Sequence, residues 1–150
     1  MAAAPVLGKP TGKPILTISG RINVTNDGES AVFDRPMLEE MGFTSFQTRT
    51  PWYTDKVTFE GVPMTTLMER IGAEGEVLTV TALNDYTSEI PIADFARYRP
   101  ILAMKRDGKY MEVRDRGPLF VVYPYDSAPE LHAQRFYSRS PWQVARIEIR

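Results

Sequence analysis

Phe59-Glu60-Gly61-Val62-Pro63-Met64, with Leu67, Met68, Ile71 and Gly72 behind it, is the stretch that decides the fold. Val57 and Phe59 alternate with polar neighbours and predict a short strand ending before Gly61. Val62, Met64, Leu67, Met68 and Ile71 then fall at helical spacing, and Gly72 supplies the stop. A strand running straight into an amphipathic helix leaves one face of each to be buried elsewhere.

Upstream, residues 1–13 carry Pro5, Gly8, Pro10 and Gly12 with few large apolar groups and read as an arm without a core of its own. Leu16 and Ile18 predict a strand ending at Gly20, and Ile22 and Val24 a second, cut by Asn26-Asp27-Gly28. Asp34 can cap a short helix with Pro36 in its first turn and Gly42 as its stop. Phe43–Gln47 is strand-like and leads into a loop over Thr48–Trp52.

Downstream, Val77–Ala82 alternates as a strand and ends at Asn84-Asp85-Tyr86; Pro91–Arg97 reads as a short helix. Ile101–Lys105 with Arg106-Asp107-Gly108 reads as a hairpin, and Leu119–Tyr123 as a buried strand. The chain turns polar after Pro124 until Trp142, and Val144–Arg150 forms a final strand. Many short strands with two or three short helices predict one compact α+β, mixed-sheet domain over residues 14–150.

The 150 residues are 43% hydrophobic and 25% charged, which is globular rather than disordered. A net charge of −1 gives no basic excess to attract nucleic acid or anionic lipid. No apolar run approaches the ~18 residues of a membrane span. The absence of cysteine excludes disulfides, thiolate metal sites and a cysteine nucleophile, and the lone His132 makes a zinc or copper site a poor expectation. No Gly-rich phosphate loop is present. No signal peptide is visible; Met1-Ala2-Ala3-Ala4-Pro5 reads as a start placed before a trimmed N-terminus, with an export signal removed.

Several blocks carry a resemblance in order and spacing. They are Phe59–Met64 with Leu67, Met68 and Gly72; Ala82-Leu83-Asn84-Asp85-Tyr86 with Ile90-Pro91; and Leu102-Ala103-Met104 with Asp107-Gly108, Gly117-Pro118-Leu119 and Tyr123-Pro124. Together they resemble the sulfite-oxidase type of molybdopterin-binding domain over residues 14–150. The chain departs from it twice. The cysteine that binds molybdenum in that family would fall within Thr48–Thr50, and the basic segment that grips cofactor phosphate is replaced by Phe120-Val121-Val122.

The set is similar to the small single-domain pterin-binding proteins of the PruR type. That resemblance implies a periplasmic bacterial protein that binds a reduced pterin, neopterin- or monapterin-like, with no covalently bound cofactor and no metal. It also implies a partner: the periplasmic domain of a membrane-anchored enzyme controlling cyclic-di-GMP and biofilm formation.

A pterin is a flat bicycle with an edge of donors and acceptors, so its site needs an aromatic face and in-plane polar groups. Trp52, presented by Pro51, and Trp142, behind Tyr137-Ser138-Arg139-Ser140-Pro141, are candidates to stack on it; each can equally be a core or rim residue. Asp85, with Asn84 and Tyr86, can pair with the pterin amino group and ring N–H, or simply make a turn. Arg49, between Thr48 and Thr50, and Arg139, between Ser138 and Ser140, can hydrogen-bond the ring or a polyol tail, or be solvated. Tyr123 can place its hydroxyl at the same mouth or anchor the core. Asp126, Glu130 and His132 offer an acid–base set in a polar segment.

Three functions follow. A non-enzymatic pterin sensor accounts for the blocks, the lost thiol and the small size together. A molybdopterin-dependent oxidoreductase, or a subunit of one, needs an oxygen ligand in place of a thiolate, a weak substitute for a soft redox metal. A protein with a decayed site has no small-molecule affinity.

Overall fold

The computed structural model describes residues 7–150, so Met1–Pro5 lies outside the described residues. Ten strands and four short α-helices form two sheets around one main core. The elements are β1 (Leu16–Gly20), β2 (Ala31–Phe33), α1 (Arg35–Glu39), β3 (Thr44–Thr50), β4 (Tyr53–Pro63), α2 (Met64–Ile71) and β5 (Val77–Ala82). They continue as β6 (Thr87–Pro91), α3 (Ala93–Tyr98), β7 (Ile101–Arg106), β8 (Lys109–Tyr110), β9 (Phe120–Val122), α4 (Gln134–Tyr137) and β10 (Val144–Ile149). Three 3-10 turns, Val113–Asp115, Tyr125–Ser127 and Pro129–Leu131, complete the chain.

The first sheet has the order β2-β1-β10-β5-β6. Its centre is the last strand: β10 runs parallel to β1 and antiparallel to β5. The second sheet has the order β3-β4-β7-β8, with β9 also on β7. The main core lies with Leu16, Ile18, Leu67, Ile71, Val80, Ile90 and Ile147, and a smaller cluster gathers Val57, Phe59, Ile101, Phe120 and Val122. Trp52 packs against both.

The opening stretch gives the expected strand and helix with a shifted boundary: β4 runs on through Gly61 and Val62 to Pro63, because both pair with β7, so Val62 belongs to the strand and α2 begins at Met64. Met64, Leu67, Met68 and Ile71 are the buried face of α2, and Gly72 ends it in the left-handed region, φ 61°. Asp34 caps α1 by accepting from Met37 N at 3.0 Å, with Pro36 in the first turn. It also accepts from Gly12 N at 3.0 Å, and Leu7 is buried in the main core. The described part of the arm is therefore fastened to the domain.

Other elements also differ from the sequence expectation. Ile22 and Val24 are not a strand: the amides of Asn23 and Val24 donate to Ile71 O and close the end of α2. The strand beside β1 comes after the turn, at Ala31–Phe33. The Thr48–Trp52 loop is instead a tight hairpin, because β3 continues to Thr50 and β4 begins at Tyr53. β6 was missed because one of its inward residues is Ser88, which breaks the apolar alternation; its hydroxyl donates to Ser138 O at 2.6 Å. The run after Pro124 is polar in composition, yet Tyr125, Leu131 and Phe136 are buried in it and α4 forms there.

Gly61 explains the glycine of the opening stretch. A methyl group on its Cα would collide with the Leu102 carbonyl on the paired strand β7. Gly61→Ala is expected to lower unfolding free energy by more than about 2 kcal/mol, read as a fall in the urea midpoint at unchanged slope.

Candidate functional site

A cavity of about 390 Å³ opens where three distant segments converge. The β3–β4 hairpin brings Pro51 and Trp52, and the end of β5 with its turn brings Ala82, Asn84 and Tyr86. The α4 segment brings Gln134, Tyr137, Ser138 and Ser140, and Trp142 closes the side leading into β10. None of these lining residues is charged. The volume suits a small ring system.

The aromatic wall is built on Trp52. Its ring meets Phe120 at 5.4 Å, Tyr137 at 5.7 Å, and Tyr125 and Trp142 each at 5.9 Å, all edge to face. The outer wall, Trp142, is 38% exposed and carries the Arg116 guanidinium 5.0 Å from its ring centroid. The same guanidinium lies 4.9 Å from the Tyr53 ring, and its buried Nε has no partner among the described residues. Tyr86, 63% exposed, stands at the mouth.

The polar groups divide into committed and free. Ser140 Oγ donates to Phe136 O at 2.9 Å and accepts a short bond from the buried Tyr125 hydroxyl, so it has no hydrogen left for a ligand. Asn84 Oδ1 accepts from Tyr86 N at 3.2 Å, leaving its NH₂ as a donor. Gln134 Nε2 donates to Ser138 Oγ at 3.2 Å, leaving the carboxamide oxygen as an acceptor. A residue with a spare donor and one with a spare acceptor therefore line one cavity.

Six of the expected residues line this cavity: Trp52, Asn84, Tyr86, Ser138, Ser140 and Trp142. The others stand elsewhere. Asp85 has φ 67°, is 85% exposed at its side chain and pairs with Arg146 at 3.3 Å, outside the lining. Tyr123 and Arg139 both donate to Asp94 Oδ2, at 2.7 and 2.8 Å, in a network under α3; burial and the Asp94 carboxylate push the Tyr123 phenol up. Thr48 is fully buried, Arg49 is exposed and Thr50 turns inward at the hairpin. Tyr137 and Gln134 were not singled out in the sequence. Tyr137 opens the Tyr137–Trp142 segment that contains Trp142, whereas nothing local marks Gln134.

The donor set around Thr48–Thr50 does not suit a metal. Thr48 Oγ1 accepts from Asp126 N at 2.9 Å and donates to Arg49 O at 3.1 Å. Thr50 Oγ1 accepts from Trp52 N and Tyr53 N at 3.1 and 3.2 Å, holding the hairpin turn. Both hydroxyls are engaged with backbone, and no thiolate exists in the chain. No cluster of three or more His, Asp or Glu residues with metal-binding geometry occurs among the described residues.

Behind the wall, the acid–base set forms a chain of bonds. Asp126 Oδ2 accepts from Arg49 N at 2.9 Å, Asp126 Oδ1 lies 2.6 Å from His132 Nε2, and His132 Nδ1 lies 3.0 Å from the Tyr137 hydroxyl. The hydrogen bond to His132 holds the Asp126 carboxyl below its usual range, while burial raises the Tyr137 phenol. Glu130 is exposed and takes no part in these bonds.

Asp94 is the shared acceptor of a nearly buried ion pair and a buried phenol. Asp94→Ala strands both and is expected to lower stability by about 3 kcal/mol, measured by chemical denaturation.

Comparison with known proteins agrees with this architecture. The family described as "oxidoreductase molybdopterin binding domain" matches residues 34–128. The match ends before α4, so much of the cavity wall lies beyond it. Among solved structures, the sulfane dehydrogenase SoxCD of Paracoccus pantotrophus aligns with a TM-score of 0.65 and 16% identity. The alignment covers 89% of this chain and 37% of that one, so the chain spans little more than a third of that protein's length. No curated protein sequence matches. The α+β mixed-sheet architecture is that of the sulfite-oxidase type, and the chain belongs to the oxidoreductase molybdopterin binding domain family.

Proposed function

We propose that this protein binds a pterin ring without performing redox chemistry on it. The observation that carries the reading is the cavity: two indoles and two phenols around an uncharged lining, with a free carboxamide donor and acceptor on opposite segments. A flat neutral bicycle can stack on Trp142 or Trp52 and place its amide edge between Asn84 and Gln134. A phosphate tail has no cationic partner in this lining.

In this reading the ligand is a metal-free pterin of the neopterin or monapterin kind, and the protein works in the periplasm as a sensor rather than an enzyme. Occupancy is then read by the periplasmic domain of a membrane-anchored enzyme of cyclic-di-GMP turnover. Support for that relay comes from the sequence resemblance; support for the ligand class comes from the cavity.

Neopterin titrated into the protein is expected to quench tryptophan fluorescence, and Trp142→Ala to weaken binding by about 1–3 kcal/mol, the scale of base–aromatic stacking. Trp142 is the cleaner test because Trp52 also supports the core. Native mass spectrometry of protein purified from its source is expected to show a retained pterin and no metal. Stoichiometric molybdenum, or unchanged affinity in the variant, would overturn the reading.

A further inference from the structure

We propose that Tyr137 is a ligand-reading hydroxyl whose proton is made available to the cavity only when His132 is protonated. The proposal rests on the pterin reading above for its ligand, but its switch rests on the geometry of this chain alone.

Proton bookkeeping along the bonds dictates the switch. Asp126 already accepts from Arg49 N and is ionised near neutral pH, so the 2.6 Å contact needs a hydrogen on His132 Nε2. A neutral imidazole with hydrogen on Nε2 has a bare Nδ1. The only hydrogen available for the 3.0 Å contact is then that of Tyr137, which must donate to His132. The phenol spends its one hydrogen behind the wall, and a ligand meets an oxygen that cannot donate.

Protonation of His132 reverses this bond. Nδ1 now carries a hydrogen and donates to the Tyr137 oxygen, whose own hydrogen must rotate elsewhere. Because Tyr137 lines the cavity, the free hydrogen can donate to a carbonyl such as the oxo group of a pterin. The proton moves only from solvent to His132 Nδ1, and no covalent bond is made or broken.

Around the imidazole, Asp126 and the Tyr125 ring, 6.0 Å away, come from the preceding turn, and Tyr137 comes from α4. Glu130 lies on the adjoining turn, and Lys56 and Arg49 of the hairpin act across Asp126. Burial pushes both phenols up, so each keeps its hydrogen at neutral and acid pH. The imidazole is partly exposed, 35% at its side chain, so solvent can supply the proton.

The sign follows from linkage. A ligand that accepts from Tyr137 binds the form with a protonated imidazole better, so affinity is higher at acid pH, and by the same coupling the bound ligand favours that form. One added neutral hydrogen bond corresponds to roughly threefold to tenfold in affinity.

The test has two readouts. His132 is the single histidine, so ¹⁵N NMR of the free protein reports its tautomer without assignment ambiguity. The expected state at high pH is hydrogen on Nε2 and a bare Nδ1; hydrogen on Nδ1 would overturn the switch. Neopterin affinity measured from pH 5 to pH 8 is expected to rise roughly threefold to tenfold toward acid. Tyr137→Phe and His132→Gln should each flatten that profile. A flat wild-type profile, or a slope that survives Tyr137→Phe, sinks the proposal. Absence of neopterin binding at every pH removes the pterin reading instead, and the NMR tautomer, with its response to Tyr137→Phe, then decides the switch.

Discussion

The edge-to-face packing of Trp52 against four other rings is the contact on which the domain and its cavity both depend. The hairpin that presents it is closed by Thr50, whose hydroxyl accepts two backbone amides. The indole then reaches Phe120 of the smaller cluster, Tyr125 and Tyr137 of the segment around α4, and Trp142 ahead of β10. Each such pair contributes about 0.5–1.5 kcal/mol beyond the area it buries. Among the described residues, no other side chain joins both hydrophobic clusters and the cavity wall at once. The site is thus an outgrowth of the core, and its inner surface inherits the rigidity of the core.

Beside the hairpin, Thr48 turns inward and ties β3 to Asp126, and Asp126 in turn holds His132. A buried hydroxyl engaged on both sides serves architecture. The position has become a fastening point between the second sheet and the segment that carries α4.

The fold was legible where apolar periodicity and glycine signals coincide. Met64, Leu67, Met68 and Ile71 before Gly72 give α2, Asp107-Gly108 gives the β7–β8 hairpin, and Val144–Ile149 gives β10. It was illegible where polar atoms are buried with partners far away in the chain. Ser88 faces inward because Ser138 O accepts its hydroxyl, and Arg139 is drawn under α3 by Asp94, 45 residues earlier. The indoles and the Asn84–Tyr86 turn were marked by residue type, and folding gathers them on one cavity. Asp85 was attractive as a carboxylate, but the left-handed turn that sets Asn84 and Tyr86 on the cavity sends Asp85 toward Arg146.

β10 fills the middle of its sheet, between β1 and β5. Its pairing with β1 joins the two ends of the described chain, a contact of very high sequence separation, which slows folding because a long loop must close before the contact forms. Until that strand docks, β1 with β2 and β5 with β6 are two separate ribbons, each with an unpaired edge. Trp142 arrives only with that strand. Any compound that fills the cavity therefore favours the completed sheet over the open ribbons by mass action.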